Sequence, residues 1–279
     1  MKFLILCADG LCPDLAAEYG FPKMPYETEL KIPENLYYDG TPASLKIWPT
    51  MFSKEKVNLT AADNFIDSTK KRRKGYYIRK GLFWTKYIMK ALKINYRNLS
   101  EKLFGSYECI WKLAPTNKVD TIFNDFYSIT WNVPGICPEF LYQLPFEDGL
   151  KYRSREFDLC RLITDGMSTS LFDLGVSYFH TIDYFAHRNM PVQGLYLCVH
   201  DHIRKLANRF DVMLVSDHGC DPATGYHTEK AYLGCTRPIF SKSVSEVGED
   251  IYRIMNDIIN LEEKIAIPEF FQNRAQLKP

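Results

Sequence analysis

Asp9, Asp183, His187, Asp217, His218 and His227 are the residues whose types and spacing could do chemistry. Asp183 and His187 stand four apart, so on a helix they share one face. Asp217-His218-Gly219 follows directly on an apolar run, where a buried charge needs a reason. Asp9-Gly10 closes another apolar run, and His227 sits in the glycine-containing loop Thr224-Gly225-Tyr226-His227-Thr228. Mixed carboxylate and imidazole donors suit zinc, and also manganese or iron. Six such groups suffice for two metals with three protein ligands each, leaving coordination positions for a nucleophile and a substrate. Two metals ~3.5–4 Å apart can clamp the attacking and leaving oxygens of an in-line phosphoryl displacement. Taken singly, each residue has an ordinary reading as a turn, a solvated helix face or a loop histidine. The joint pattern is what argues for a centre.

These residues need a scaffold that brings distant segments to one place. Residues 2–8 form a short continuous apolar run, as expected of a strand buried on both faces of a parallel sheet. Residues 171–179 and 211–216 are similar runs. Helical periodicity lies between and after them, over 153–167 (Phe157, Leu159, Cys160, Leu162, Ile163), 195–210 and 245–261. Strands alternating with helices predict an α/β fold: a three-layer α/β/α sandwich with a mainly parallel central sheet. Ligands in such sheets bind beyond the carboxyl ends of the strands, which is where the six residues fall. Residues 60–150 read differently. They hold a basic cluster over 67–80, an aromatic amphipathic stretch over 81–95 and a Pro-, Asn- and aromatic-rich run over 114–145. This span is expected to be a cap-like elaboration within a single catalytic domain over 1–279.

The 279 residues carry 35 Lys+Arg against 34 Asp+Glu, a net charge of +1, which argues against a bulk electrostatic nucleic-acid binder. Hydrophobic residues make up 46% of the chain, enough for a globular core. The N-terminal apolar run is cut by Asp9 and is too short for a signal sequence, and no run approaches the ~20 apolar residues of a membrane span. The expectation is a cytoplasmic protein with no membrane partner. The eight cysteines form no Cys-x-x-Cys pair and are expected to be reduced.

The pieces Leu6-Cys7-Ala8-Asp9-Gly10, the segment from Thr41 to Ser53, Asp183-Tyr184-Phe185-Ala186-His187, Ser216-Asp217-His218-Gly219 and His227 also carry a resemblance. In order and broad spacing the chain resembles the alkaline phosphatase superfamily, and within it the type I phosphodiesterase/nucleotide pyrophosphatase branch. The resemblance implies two divalent cations, zinc first, with manganese or magnesium as alternatives. It implies that Asp183, His187 and His227 hold one, and that Asp9, Asp217 and His218 hold the other together with the nucleophile. Sulfatases of the superfamily use a Cys-x-Pro-x-Arg motif that this chain lacks. The independent phosphoglycerate mutases carry an inserted domain too large for it.

Aligning Trp48-Pro49-Thr50 with the family pattern puts Ser44 in the nucleophile position, with Thr41 as the alternative. The implied reaction is hydrolysis of a phosphodiester or phosphoanhydride through a phosphoseryl intermediate; a phosphomonoesterase or a non-catalytic relative is the alternative. Lys46 stands where relatives often have Pro or a small residue, and Lys54 where they usually have Gly. Lys46 is a candidate phosphate contact or a solvent-facing side chain. Asn64 resembles the Asn that nucleotide pyrophosphatases offer to phosphate. The expected partner is a small-molecule phosphodiester or nucleotide. Aromatics including Trp48, Trp84 and Trp131 either stack on a base or fill the core. The basic run 70–80 either guides a polyanion or is a solvated face, and nucleic acid is not the favoured partner.

Overall fold

β1 (Phe3–Ala8) is buried along its whole length, and its side chains alternate between two cores. Phe3, Ile5 and Cys7 face one apolar cluster, and Leu4, Leu6 and Ala8 face the other. A strand with period-2 alternation and no polar face must be covered on both sides. This computed structural model describes residues 2–54, 57–71, 121–124, 128–131, 133–136, 149–169 and 172–237.

The chain continues through α1 (Pro13–Glu18), β2 (Tyr26–Lys31), the two-residue strands β3 (Tyr37–Tyr38) and β4 (Thr41–Pro42), α2 (Ser44–Phe52) and α3 (Thr60–Lys71). β5 (Ser128–Trp131), α4 (Gly149–Thr169), β6 (Leu174–Phe179), α5 (Thr181–Ala186), α6 (Gln193–Leu206) and β7 (Asp211–Val215) follow. β8 (Gly219–Asp221), β9 (Tyr226–Thr228) and β10 (Lys230–Cys235) end the described chain. The central sheet has six strands in the order β2-β10-β7-β1-β6-β5. β7, β1, β6 and β5 are mutually parallel, and β10 joins β7 antiparallel and pairs antiparallel with β2. The α/β class and the mainly parallel sheet are as expected.

α2 and α3 contribute Ile47, Trp48, Met51, Phe52, Ala62 and Ile66 to the first cluster. α4, α5 and α6 contribute Cys160, Ile163, Met167, Ile182, Phe185, Leu195, Val199 and Ile203 to the second. The buried stripe of α4 is thus Cys160, Ile163 and Met167, and Leu162, placed on it by periodicity, is 62% exposed. α4 also extends past the expected 153–167 at both ends.

Of the span 60–150, the described pieces join the main body. Ser128–Trp131 pairs in parallel with β6 as the edge strand of the main sheet, and Ala62 and Ile66 belong to its core. Gly135 (φ +74°) lies against Pro49, within α2, and against the Leu45 carbonyl, so this segment packs on α2. The expected stretch 81–95, most of the basic run 70–80 and the helix 245–261 lie outside the described residues. The six described cysteines, at 7, 12, 160, 198, 220 and 235, form no disulfide. Among the described residues no helix is long and apolar enough to cross a membrane.

Candidate active site

Three neighbouring parallel strands end side by side, and each delivers ligand-type residues at its carboxyl end. Asp9 follows β1, Asp217 and His218 follow β7 after Ser216, and His180 follows β6 before α5 brings Asp183 and then His187. The edges are tied by backbone: Asp9 N–H donates to the Phe179 carbonyl at 2.8 Å, and Asp183 N–H to the Asp9 carbonyl at 3.2 Å. Gly10, at φ +77°, permits this closeness, because a Cβ there would stand 2.8 Å from both Cα and Cβ of Asp183. Asp9-Gly10 is therefore more than a turn signal. His227 arrives from the β8–β9 ribbon, and Ser44 from the first residue of α2.

The three predicted histidines are turned the same way. The Nδ1 of His187 lies 2.7 Å from the Gly225 carbonyl, that of His227 2.9 Å from Pro42 O, and that of His218 3.2 Å from Gly219 O. A carbonyl only accepts, so each ring donates Nδ1–H outward and presents the lone pair of Nε2 inward. This is the arrangement that fixes metal-ligating imidazoles. The inward nitrogens meet carboxylates, one another and one hydroxyl. Nε2 of His187 and of His227 stand 3.1 and 3.4 Å from Oδ1 of Asp183, and 2.9 Å from each other. Nε2 of His218 stands 3.4 Å from Oδ1 of Asp9, 3.3 Å from Oδ2 of Asp217 and 3.2 Å from the Ser44 hydroxyl. A tetrahedral ion with bonds near 2.0–2.1 Å spaces its donors about 3.3 Å apart. The distances from each histidine to its carboxylates, 3.1–3.4 Å, are close to that spacing, and the stacked rings of His218 and His227, 3.7 Å between centroids, join the two triads.

The electrostatics call for a cation. Burial, and then the charges of Asp217 and Asp183, push Asp9 up to about 6. Burial, partly offset by the Ser44 hydroxyl, pushes Asp217 up to about 6 as well. Burial and the neighbouring His227 push His218 down to about 4, which keeps it neutral. Burial opposes ionisation of Asp183, but without a metal His187 and His227 outweigh it as protonated rings and hold its carboxyl well below the usual range, a cation taking the place of those Nε2 protons when bound. Both Asp217 oxygens are buried without a well-formed hydrogen bond, and the nitrogen groups described within ion-pair distance of Asp183 and Asp217 are all imidazoles, of which His218 is neutral. Inward lone pairs facing crowded carboxylates fit divalent cations, which lower the pKa of every ligand they hold.

The remaining predicted residues divide. Ser44 is at the site, beside His218 and Asp217. Thr41, its alternative, donates its hydroxyl to the Tyr38 carbonyl at 3.0 Å. Lys46 is only 5% exposed, and its ammonium donates to the Tyr37 carbonyl at 2.9 Å and pairs with Asp63 at 3.1 Å. The solvent-facing alternative is corrected, and the partners described for Lys46 are protein groups. Two residues on a helix are ~200° apart, so Lys46 leaves α2 on the side opposite Ser44 and bolts it to α3. Asn64 is exposed on α3, next to Asp63, and takes no part in the hydrogen bonds described at the site. Trp48 is fully buried between Phe52 and Tyr178, a core residue rather than a base platform.

Sequence reasoning missed Tyr178 and His180. Asp9 Oδ2 accepts from the Tyr178 hydroxyl and stands 2.9 Å from Nδ1 of His180, so its Oδ1 is left facing His218. Burial opposes protonation of His180, but Asp9 outweighs it and raises its pKa. The signal existed: His180 directly follows an apolar strand, as Asp9 does.

Neither a family model nor a curated protein sequence matches the chain. Among solved structures it is similar to alkaline phosphatase from the Antarctic bacterium TAB5, with 12% identity, 93% of this chain and 97% of that one covered, and a TM-score of 0.40. It is similar to the PH0037 protein of Pyrococcus horikoshii, with 13% identity, 93% and 96% covered, and a TM-score of 0.37. Murine ectonucleotide pyrophosphatase/phosphodiesterase 5 is 13% identical over 78% of this chain and 57% of that one, with a TM-score of 0.32.

Proposed function

We infer that the chain is a single-domain phosphoric-ester hydrolase of the alkaline phosphatase type, acting on phosphodiesters or nucleotide phosphoanhydrides from two adjoining metal subsites. One observation carries this reading: three imidazoles donate Nδ1–H to backbone carbonyls and aim Nε2 at three buried carboxylates and one serine hydroxyl. Asp183, His187 and His227 would hold one divalent cation, and Asp9, Asp217 and His218 the other. The mixed oxygen and nitrogen donors favour zinc, with manganese or magnesium as alternatives. Bound there, the cations supply Lewis acidity, lowering the pKa of the Ser44 hydroxyl and drawing charge from the phosphoryl oxygens.

The chain's own residues do the rest. Ser44 Oγ attacks phosphorus in line and forms a phosphoseryl ester as the leaving oxygen departs; water then cleaves that ester. Asp217, beside the Ser44 hydroxyl, would take up its proton on the carboxylate oxygen not given to a cation, and His218 fixes where that hydroxyl stands. Tyr178 and His180 hold Asp9 in register. A diester is preferred over a monoester because a monoester dianion brings one more negative charge into a site lined by three carboxylates, and Lys46 is held away from it by Asp63 and Tyr37. A nucleotide-type small molecule is the substrate class in keeping with the resemblance.

The test loads purified protein with zinc, manganese or magnesium and compares a bis(nitrophenyl) diester with a mononitrophenyl ester. Metal-dependent turnover with the diester ahead supports the reading. A monoester ahead assigns a phosphomonoesterase, and no turnover of either with two ions bound assigns a non-catalytic relative.

A further inference from the structure

α4 turns its apolar stripe onto the sheet, and one turn before Cys160 that stripe holds a charge. Glu156 is 7% exposed, on the same face as Cys160, Ile163 and Met167. A buried carboxylate must be compensated by hydrogen bonds. All those described for Glu156 go to a single turn of backbone outside its own helix. Its Oε1 accepts from His180 N–H at 2.6 Å, and its Oε2 accepts from Thr181 N–H at 3.2 Å and from the Thr181 hydroxyl. Burial nevertheless pushes its carboxyl up to about 7.

The gripped turn is where β6 becomes α5. α5 has no side-chain cap of its own at His180, so its first orphan N–H groups are satisfied from α4. Two functional arms leave this turn. The His180 ring reaches Asp9 Oδ2 at 2.9 Å, in the Asp9–Asp217–His218 triad. α5 carries Asp183 and is capped by His187, in the triad with His227. Without an acceptor at 156, two N–H groups at the turn would be buried and unpaired, and the turn would move to satisfy them.

We propose that Glu156 is a positioning residue for both metal subsites, gripping the 180–181 turn so that His180 fixes Asp9 while α5 presents Asp183 and His187. This rests on the two-metal reading above and adds to it a residue that touches neither ion nor substrate. Outer partners of metal ligands are worth about ten- to hundredfold in metal affinity.

The experiment strips the full chain with a chelator and titrates Zn2+ against a chromophoric competitor, reading stoichiometry and both stepwise affinities. Thermal unfolding of each metal-free protein is recorded alongside. Glu156→Gln keeps shape and one acceptor but turns an NH2 group toward a donor. It is expected to weaken both affinities by about tenfold or more. Thr181→Val, which removes the hydroxyl donor alone, is expected to weaken both by a smaller factor, and it decides the matter if Glu156→Gln fails to fold. Wild-type affinity at both subsites in these variants, whatever happens to the unfolding temperature, overturns the proposal, because a merely structural role would move stability alone. Weakening of one subsite alone also overturns it. A wild-type chain that takes up no ion fails at the earlier step and removes the two-metal reading itself.

Discussion

Replacing Asp217 by Asn should make the metal-free protein more stable while destroying its metal centre. Asp217 is fully buried, and its carboxyl rises from 3.8 to about 6, chiefly through burial. A folded-state pKa above the unfolded one means that the folded chain holds its proton more tightly. The stability of the metal-free protein therefore falls as pH rises from 3.8 toward 6, and the penalty is complete above that. A shift of about two units corresponds to ~3 kcal/mol. Asparagine carries no charge to desolvate, so Asp217→Asn removes the penalty and also relieves the repulsion on Asp9. At pH 8, after chelation, the variant should unfold at a temperature higher by roughly 6–10 °C. The difference should shrink by about half at pH 5, where wild-type Asp217 is mostly protonated. Adding metal should reverse the order, since only wild type binds ions at both subsites and gains the linked stability. The assay is thermal unfolding with and without chelator at the two pH values. A metal-free Asp217→Asn no more stable than metal-free wild type at pH 8 would refute the reasoning.

Ser44→Ala should lower metal-dependent ester hydrolysis by about 10³-fold or more with metal content unchanged, while Thr41→Ala leaves most of it; steady-state kinetics with metal analysis checks both. Lys46→Met should cost ~1–3 kcal/mol in denaturant unfolding, from the lost Asp63 pair and Tyr37 bond, with KM little changed. A large rise in KM would instead return Lys46 to the site. Metal affinity should fall below pH 6, because Asp9 and Asp217 must give up protons to bind. Proton release on metal addition, measured in buffers of different ionisation enthalpy, reads this directly. Gly10→Ala should lose metal and ~1–3 kcal/mol of stability, since its backbone is at φ +77° against Asp183; metal stoichiometry is the check.

The sequence determined the strands and the ligand types. Unbroken apolar runs at 3–8 and 212–215 are strands because a strand buried on both faces tolerates them, and Asp9 and Asp217 show where they end. The four-residue spacing of Asp183 and His187 set their common face on any helix. Partners that lie across the fold were not legible. His180 meets Asp9 across 171 residues, and Glu156 meets the 180–181 turn from another helix. Glu156 shows as an anomaly, a charge on an apolar stripe, but periodicity says which residues share a face and nothing about what that face meets. Lys46 is the same lesson in reverse: two residues from Ser44 in sequence, it sits on the far side of α2 with Asp63. Local chemistry set secondary structure and residue type. The strand order β7-β1-β6 was decided by burying both sheet faces at once, and it alone brought the three strand ends, and with them the site, together.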